Sequence, residues 1–448
     1  MPDGEVATNP VAPDTIAAVA TPVGRGGIGI VRVSGPKVPQ IAGKVIGQLP
    51  EAGKAVFRSF RDARGERVDE GIALYFQAPH SYTGEAVLEF QGHGGPVVMQ
   101  DVLGVVLDAG ARLAEPGEFT RRAFLNGRID LAQAEAVADL IDAASREAAR
   151  SALRSLSGEF SSVIASLVTG LTELRALTEA MLDFPDEGVD SLHRNDADAR
   201  LEKLRAALED VIAKSGQGSL LRNGIHVVLA GRPNVGKSSL LNRLAGEERA
   251  IVTATPGTTR DALRESIQIE GVPIVVVDTA GLRASSDEIE RLGMMRTREE
   301  MGRADVVLVI LEAGKREAPE EEIPGAGARI TIVNKIDLVP GSVAGRHGDE
   351  VHVSAKTGAG LDALRTALLQ AAGWNSRGES VFLARARHLR ALKTAQAQLA
   401  AAAAQGGANW EFFAEELRLA QAALGEISGR VSADDLLGEI FSRFCIGK

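Results

Sequence analysis

The chain has 448 residues, the length of about three ordinary domains, and its 45% hydrophobic and 25% charged residues are typical of a globular protein. The formal net charge of −10 excludes a uniformly basic nucleic-acid clamp, so a nucleic acid would have to be held by local patches or by a second protein. The sequence has neither an apolar run of roughly 18 residues nor a signal-like N-terminus, and its single cysteine, Cys445, excludes an intramolecular disulfide, so we expect a cytoplasmic protein.

The N-terminal part combines strand and helix patterns. Residues 1–13 carry Pro, Gly, Asn and Asp without periodicity, which predicts a loose tail. Four strand-like segments follow, at residues 16–20, 28–33, 71–76 and 86–90. Residues 96–109 have helical spacing, and Gly110 is suited to end that helix. The mixture predicts an α+β domain over residues 1–128.

The middle and the end of the chain have helical patterns. Residues 131–182 contain no Pro and few Gly, and their apolar residues recur three and four apart, which predicts long amphipathic helices. Further helices are predicted at residues 196–215, 391–404 and 410–427. We therefore predict an all-α domain in two halves around an inserted nucleotide domain, with the bounds 129–222, 223–375 and 376–448.

The inserted part opens with a phosphate-binding motif. The sequence G-R-P-N-V-G-K-S at 231–238 follows an apolar strand and precedes a helical pattern, which is the context of a P-loop. Its glycines let backbone N–H groups surround an anion, Lys237 can reach the β and γ phosphates, and the Ser238 hydroxyl suits Mg²⁺. The nucleotide contacts expected here are Asn234, Val235, Gly236, Lys237, Ser238 and Ser239.

Three further motifs complete a guanine nucleotide site. The Asp of D-T-A-G at 278–281 can hold Mg²⁺ through a water, and its glycine N–H can meet a γ-phosphate. The Asp of N-K-I-D at 334–337 can accept two N–H bonds from a guanine edge, which adenine cannot supply. S-A-K at 354–356 would close over the base. The series predicts a GTPase with contacts at Asp278, Thr279, Ala280, Gly281, Asn334, Lys335, Asp337, Ser354, Ala355 and Lys356.

A Thr-rich loop lies where a switch I loop belongs. It has the sequence T-A-T-P-G-T-T-R-D at 253–261, between the P-loop helix and Asp278. Thr259 is placed to give its hydroxyl to Mg²⁺ and a backbone contact to the γ-phosphate. The nucleotide contacts expected in this loop are Thr253, Ala254, Thr255, Pro256, Gly257, Thr258 and Thr259.

The position that follows D-T-A-G raises a catalytic question. Ras-like proteins place a Gln there to orient the attacking water, whereas this chain has Leu282, whose side chain cannot form hydrogen bonds. Another group must position the water, and a bound monovalent cation can do the electrostatic work of an arginine finger. The candidates nearby are the acids Asp287, Glu288 and Glu290 and the arginines Arg283 and Arg291, any of which also fits a solvated charged loop.

Motifs outside the nucleotide site narrow the choice of protein family. They are T-P-V-G-R-G-G-I-G-I-V-R-V-S-G at 21–35, S-Y-T-G-E at 81–85, Q-G-H-G-G at 91–95, P-G-E-F-T-R-R-A-F-L-N-G at 116–127, D-L-A-Q-A-E-A-V-A-D-L-I at 130–141 and F-C-I-G-K at 444–448. With the nucleotide motifs, they resemble the MnmE (TrmE) family of the TrmE-Era-EngA-like GTPases over nearly the whole chain. The resemblance implies an N-terminal α+β domain for folate binding and dimerisation, a split all-α domain and an inserted Ras-like P-loop G domain.

The resemblance also implies a reaction and its partners. A homodimer would work with the FAD-containing protein MnmG, adding a carboxymethylaminomethyl or aminomethyl group to C5 of the tRNA wobble uridine, position 34. A 5-formyl or methylene tetrahydrofolate derivative would supply the one-carbon unit, and tRNA would be held mainly through the partner. A carboxylate suits the amino-pyrimidine edge of folate, and cations suit its tail. The implied folate contacts are Arg32, Glu89, Arg128, where the family often has Lys, and Lys448.

A potassium-activated mechanism is implied as well, and it answers the question raised by Leu282. K⁺ would replace an arginine finger as two G domains meet, and Glu290, twelve residues beyond Asp278, would be the catalytic acid that orients water. The implied K⁺ ligands are Asn234, Thr253, Thr255 and Thr258, and those of Mg²⁺ are Ser238 and Thr259. For Cys445, a role in the modification chemistry and a plain buried thiol both stay open.

Two other functions compete with this interpretation. A ribosome-assembly GTPase would bind rRNA without modification chemistry, but it would need an appended basic RNA-binding module that the sequence lacks. A GTP-dependent scaffold would use hydrolysis only to time the release of a complex.

Overall fold

The computed structural model describes residues 14–183, 191–246, 264–278, 302, 304–315, 327–375, 381–405, 409–429, 434–442, 444 and 447. Contacts divide the chain into two compact units. Unit 1 comprises residues 1–138 and 421–448, and unit 2 comprises residues 139–420.

Unit 1 is built on a six-stranded sheet with the order β3-β4-β5-β2-β1-β6. All neighbouring strands are antiparallel except β1 and β6. The side chains alternate between the two faces, so Val31, Val33, Leu88 and Phe90 share one buried face. The strands are β1 Ile16–Val19, β2 Gly29–Ser34, β3 Ala55–Arg61, β4 Arg67–Phe76, β5 Val87–Gly92 and β6 Arg112–Leu113.

Helices cover parts of both faces of this sheet. On the inner face, α1 Val38–Ile46 and α2 Pro96–Asp108 bury apolar side chains in one core with the sheet. On the outer face, α3 Glu118–Leu125 packs Phe119 against the first strand. Sequence periodicity predicted α2 to within one residue and missed α1 and β3.

Helices dominate the rest of the chain outside the second sheet. They are α4 Leu131–Ile141, α5 Arg146–Leu156, α6 Glu159–Asp183, α7 Ser191–Asn223, α8 Lys237–Ala245, α9 Leu361–Ala371, α10 Ala386–Gln405, α11 Trp410–Ser428 and α12 Asp434–Ser442. In α6, an 18-residue window within Glu159–Leu182 has a mean hydropathy of 1.2, so by length and composition alone this helix could cross a membrane. One apolar stripe of this helix is buried within unit 2, at Phe160, Ile164, Leu167, Leu171 and Leu174.

Unit 2 holds a seven-stranded sheet with the order β12-β13-β11-β10-β7-β9-β8. Its five inner strands are parallel, and both edge strands, β8 and β12, are antiparallel to their neighbours. The strands are β7 Ile225–Ala230, β8 Arg264–Ile269, β9 Val272–Asp278, β10 Val306–Glu312, β11 Ala328–Asn334, β12 Gly345–His347 and β13 Glu350–His352. The nucleotide motifs follow β7, β9, β11 and β13, so they meet at the carboxyl edge of the parallel sheet, where ligands bind in such folds.

Candidate functional site

The P-loop connects β7 to α8 and holds the ammonium group of Lys237. Gly236, just before α8, has φ 96°, and a side chain there would overlap the Asn334 amide, so both space and backbone angle require glycine. Lys237 is 6% exposed. Its Nζ donates to the carbonyl oxygens of Gly231, at 2.6 Å, and Arg232, at 3.3 Å. The ammonium group is thus held against the loop whose backbone suits a phosphate.

Asn334 links two of the nucleotide motifs through a buried amide. Its side chain is 1% exposed; Nδ2 donates to the Val235 carbonyl oxygen at 2.9 Å, and Oδ1 accepts the Ala355 N–H at 3.0 Å. The amide therefore ties the P-loop to S-A-K, so this side chain acts on the site through the protein backbone.

Lys335 makes a second link to the P-loop. Its Nζ donates to the Asn234 carbonyl oxygen at 2.6 Å and pairs with Glu312 Oε2 at 3.0 Å. Hydrogen bonds from Lys335 and then Lys315 hold the pKa of the Glu312 carboxyl below its usual value. Sequence reasoning missed Glu312; the available signal was an acid at the end of the apolar strand β10, level with Asn334 in the parallel register.

Asp337, which the sequence predicts to recognise the base, is oriented by a neighbour. The Ser354 hydroxyl, which is fully buried, donates to Asp337 Oδ1 at 2.6 Å. Ser354 Oγ in turn accepts the Thr357 N–H at 3.2 Å. Asp337 and Lys356 are exposed. This arrangement fixes the carboxylate while leaving it accessible to the N–H groups of a guanine edge.

Several predicted site residues lie outside the part of the chain that the structure describes. For Asp278 the structure describes the backbone alone, as the last residue of β9. The predicted residues outside the description are Thr253, Ala254, Thr255, Pro256, Gly257, Thr258, Thr259, Thr279, Ala280, Gly281, Leu282, Glu290, Cys445 and Lys448.

A second group of predicted residues meets on the outer face of the unit 1 sheet. Arg32 on β2 and Glu89 on β5 are direct cross-strand partners, and their Nε and Oε1 atoms lie 2.9 Å apart. Gln91 Nε2 donates to Glu89 Oε2 at 3.3 Å. Both carboxylate oxygens of this 9% exposed residue are therefore engaged by donors.

Two aromatic rings flank this ion pair. The Arg32 guanidinium carbon lies 5.7 Å from the ring centre of Tyr82 and 5.8 Å from that of Phe119, within the range of cation–π attraction. Burial raises the pKa of the Tyr82 phenol, whose hydroxyl lies 2.8 Å from Thr120 Oγ1. Sequence reasoning did not assign these rings to the site, although both lie in motifs that carried the family resemblance.

Arg128 lies beside the same loop as Tyr82. A Cβ on Gly84 would lie 3.2 Å from Arg128 Cγ, and the Arg128 side chain is exposed. At the other end of the chain, Gly447 is buried and its α-carbon lies against the backbone of Val19 and Ala20 at the end of β1. The structure thus places Arg128 and the residue before Lys448 around the sheet that carries Arg32.

A buried ionic network supports this domain. Arg122 is 2% exposed, and its guanidinium donates to the carboxylates of Asp14, Glu85 and Glu118. Burial alone would raise the pKa of Glu118. Hydrogen bonds led by those from Arg112 outweigh this effect and hold the pKa of Glu118 at about 2.

Comparison with known proteins decides the family. The family description "MnmE helical domain" matches residues 131–445, and "GTP-binding protein TrmE N-terminus" matches residues 15–128. The tRNA modification GTPase MnmE of Azoarcus sp. (strain BH72) is 58% identical over 448 residues, covering 98% of this chain and 99% of that protein. The MnmE of Thiobacillus denitrificans (strain ATCC 25259 / T1) is 59% identical over 444 residues, with the same coverage. The chain belongs to the MnmE family.

Membership in the MnmE family confirms the predicted fold class, with an N-terminal α+β domain, helical domain and P-loop G domain. It also confirms that the chain is a GTP hydrolase with a role in tRNA modification. Among solved structures, the G domain of the T. maritima FeoB iron transporter matches 33% of this chain and 98% of its own length, with 22% identity and a TM-score of 0.23.

Proposed function

We propose that this MnmE-family chain is a K⁺-activated GTPase that works with MnmG to add a carboxymethylaminomethyl or aminomethyl group at C5 of tRNA wobble uridine. The observation that carries the proposal is that one chain has two polar sites. One is formed by the loops that fit a guanine nucleotide, and the other is the Arg32–Glu89 pair between two aromatic rings. Hydrolysis alone would not need the second site. The domain bounds that we propose are those predicted from the sequence, and the proposed location is the cytoplasm.

The second site fits a tetrahydrofolate derivative. Glu89 can accept N–H groups of an amino-pyrimidine edge, and such a ligand would displace the Gln91 amide, whose bond at 3.3 Å is the longer of the two that Glu89 accepts. Arg32 holds the Glu89 carboxylate, and Arg128 and Lys448 supply cations for the glutamate tail. The folate, when bound, would supply the one-carbon unit, while these residues hold and orient it.

The P-loop geometry fits the proposed cations. Asn234 has φ 64° and is exposed, while its carbonyl oxygen accepts the Lys335 ammonium, so its side-chain oxygen can serve K⁺. Ser238 lies in the first turn of α8, and Thr259 is proposed to join it at Mg²⁺. Thr253, Thr255 and Thr258 are the other proposed K⁺ ligands, and Glu290 is proposed to orient water.

An exposed apolar pair supports a homodimer through unit 1. Phe57 on β3 and Ile72 on β4 are cross-strand partners, 64% and 40% exposed. Ile72 is paired with Gln91, which lies two residues from Glu89 on β5, so all four side chains share one sheet face. A second copy that covers this face would also border the proposed folate site.

Three measurements test the proposal. GTP turnover should be faster in K⁺ than in Na⁺, and equal rates would reject the assignment of Asn234 as a K⁺ ligand.

Folate affinity should fall about tenfold or more in Glu89→Gln, since one charged hydrogen bond is lost. It should stay unchanged in Glu70→Gln, which removes an acid of the same sheet that is paired with Arg67. Mass analysis of tRNA nucleosides from cells lacking the protein should show unmodified C5 of the wobble uridine. Normal nucleosides with abnormal ribosomal subunits would favour a ribosome-assembly role instead.

A further inference from the structure

Helix α5 exposes a face of like charge. Arg146 and Arg150 are exposed and Arg154 is half-buried, and their spacing of four places them along one stripe. The helix has a single acid, Glu147, whose carboxylate fills the space beside Gly271 in the turn between β8 and β9. The opposite face is small and buried, with Ala148, Ser151, Ala152 and Ser155.

This arrangement disfavours the isolated helix. Two like charges four residues apart destabilise a helix by about 0.2–0.5 kcal/mol. Helix α5 has two such pairs, Arg146 with Arg150 and Arg150 with Arg154. Among the residues that the structure describes, neither Arg146 nor Arg150 has an ion-pair partner. Leu153 lies on the same stripe of the helix, between Arg150 and Arg154, and is 56% exposed.

Cations on several other helices of unit 2 are paired with acids of the same helix. Each of several has an acid three or four residues away on its own helix, as in Arg200 with Asp196, Arg205 with Glu202, Arg365 with Asp362 and Arg418 with Glu415. The chain has 60 acidic and 50 basic residues, so acidic neighbours are plentiful. The overall composition therefore does not explain why α5 lacks acidic neighbours for its arginines.

Helix α10 repeats the pattern. Arg390 and Lys393 are exposed, three residues apart, and the sequence of α10 contains no Asp or Glu. Within the described part of unit 2, neither cation has an ion-pair partner. At the start of α10, the ring of His388 lies 5.4 Å from that of Phe160 in α6, the helix that follows α5 in sequence.

We propose that these exposed cations bind the phosphate backbone of tRNA. Arg146, Arg150, Arg390 and Lys393 are here called the basic surface. A row of phosphates would offset the repulsion within each helix, and arginine matches phosphate oxygens with two parallel hydrogen bonds. Because the net charge of −10 repels a polyanion elsewhere, RNA contacts must concentrate on local surfaces of this kind. Naming tRNA as the RNA rests on the proposed function.

The test compares two full-length variants of equal charge. One neutralises the basic surface, and the other neutralises four paired cations, so both carry four fewer positive charges. Transfer RNA should bind the basic-surface variant about ten- to a hundredfold more weakly than wild type at low salt, and the slope of log affinity against log salt should decrease by up to about three. The control variant should bind nearly as wild type, and GTP turnover without tRNA should be the same in all three. The substitutions are Arg146→Gln, Arg150→Gln, Arg390→Gln and Lys393→Gln against Arg200→Gln, Arg205→Gln, Arg365→Gln and Arg418→Gln.

Several results would overturn this inference. They are equal losses in both variants, no loss in either, and a wild-type chain that does not bind tRNA at low salt. Unchanged tRNA affinity with a lost response to MnmG would assign the surface to a protein partner instead. If the fourfold variant does not fold, Arg146→Gln with Arg150→Gln carries the same comparison. A chain that binds tRNA on this surface but leaves nucleosides unmodified would contradict the proposed function and leave this inference standing.

Discussion

Asn334 shows how one buried side chain organises the nucleotide loops. Its amide donates to the P-loop at Val235 and accepts from S-A-K at Ala355, so neither loop can shift without breaking a hydrogen bond. The sequence motif identified the residue and its neighbourhood. The direction of its amide, toward protein backbone at both ends, depends on how β11 places it between two loops and could not be predicted from the motif.

Replacing Asn334 should damage the nucleotide site through the backbone. In Asn334→Ala, the buried Val235 carbonyl and Ala355 N–H lose their partners, which should lower the unfolding free energy by about 1–3 kcal/mol and weaken GTP binding about tenfold or more. Fluorescent-nucleotide titration and thermal unfolding measure both effects. Asn223→Ala, at the exposed end of α7, is the control, and equal effects in the two variants would contradict the prediction.

Glu118 makes the stability of the chain sensitive to acid. Its folded pKa of about 2 lies below its ordinary value of 4.5, so the folded state binds fewer protons than the unfolded state between these values. The stabilisation is fully present above about pH 4.5 and is lost as the pH falls through about 2, and it amounts to about 3 kcal/mol. Unfolding midpoints between pH 5 and pH 2 should therefore fall less steeply in Glu118→Gln than in wild type, whereas Glu115→Gln, an exposed acid, should follow wild type.

The hairpin of β8 and β9 is one of the elements that contact the helices of unit 2. Ile267, Ile269 and Val272 share a core with Ala148 and Ala152 of α5. The Gln268 amide also donates to the carbonyl oxygen of Ala144, just before that helix. The predicted switch I loop precedes this hairpin in sequence, and D-T-A-G begins at its last residue. The hairpin therefore connects both motifs in sequence to side chains that pack against α5.

Gly271 in the hairpin turn provides a direct test of this packing. It has φ 78°, and the Glu147 carboxylate occupies the position that a Cβ would take. Gly271→Ala should cost about 1 kcal/mol for the backbone angle and about 0.5 kcal/mol more for moving the Glu147 side chain to another rotamer. Gly348→Ala, with φ 63° and open space, should show only the first cost. Thermal unfolding of both variants checks this, and Glu147→Ala should remove the difference; a persisting difference would show that Glu147 is not its cause.

Elements with a strong local period were predictable, and elements defined by tertiary contact were not. The strand before the P-loop and the helix α2 follow from apolar spacing alone. In contrast, α1 has only nine residues with an internal glycine, and it is stable because Val38, Ile41 and Val45 cover the sheet. The start of α5 as a helix separate from α4 depends on Ser145, whose hydroxyl caps α5 by accepting the Ala148 N–H.

At the scale of the whole chain, one carboxylate joins the two points where the G domain is inserted. Asp139 Oδ1 lies 2.9 Å from Arg222 Nε, near the end of α7 that leads into the P-loop strand. The same oxygen lies 2.8 Å from a terminal nitrogen of Arg385, where the chain returns to the helices. The sequence separation of 246 residues between Asp139 and Arg385 puts this contact beyond any local pattern. It borders a cavity of about 110 Å³ that Asp142 also lines.

Removing this charge should loosen the insertion while sparing the nucleotide loops. The Asp139 side chain is 6% exposed, so Asp139→Asn leaves two arginines short of a buried counter-charge and should cost about 3–5 kcal/mol, as when one partner of a buried pair is lost. Intrinsic GTP turnover should change less than twofold, because the nucleotide contacts lie at the opposite end of β7. Modification of tRNA should fall about tenfold or more if movement of the G domain must reach the helices through this link. Asp142→Asn, an exposed acid beside the same cavity, is the matched control, and equal modification by the two variants would show that the insertion points transmit nothing through Asp139.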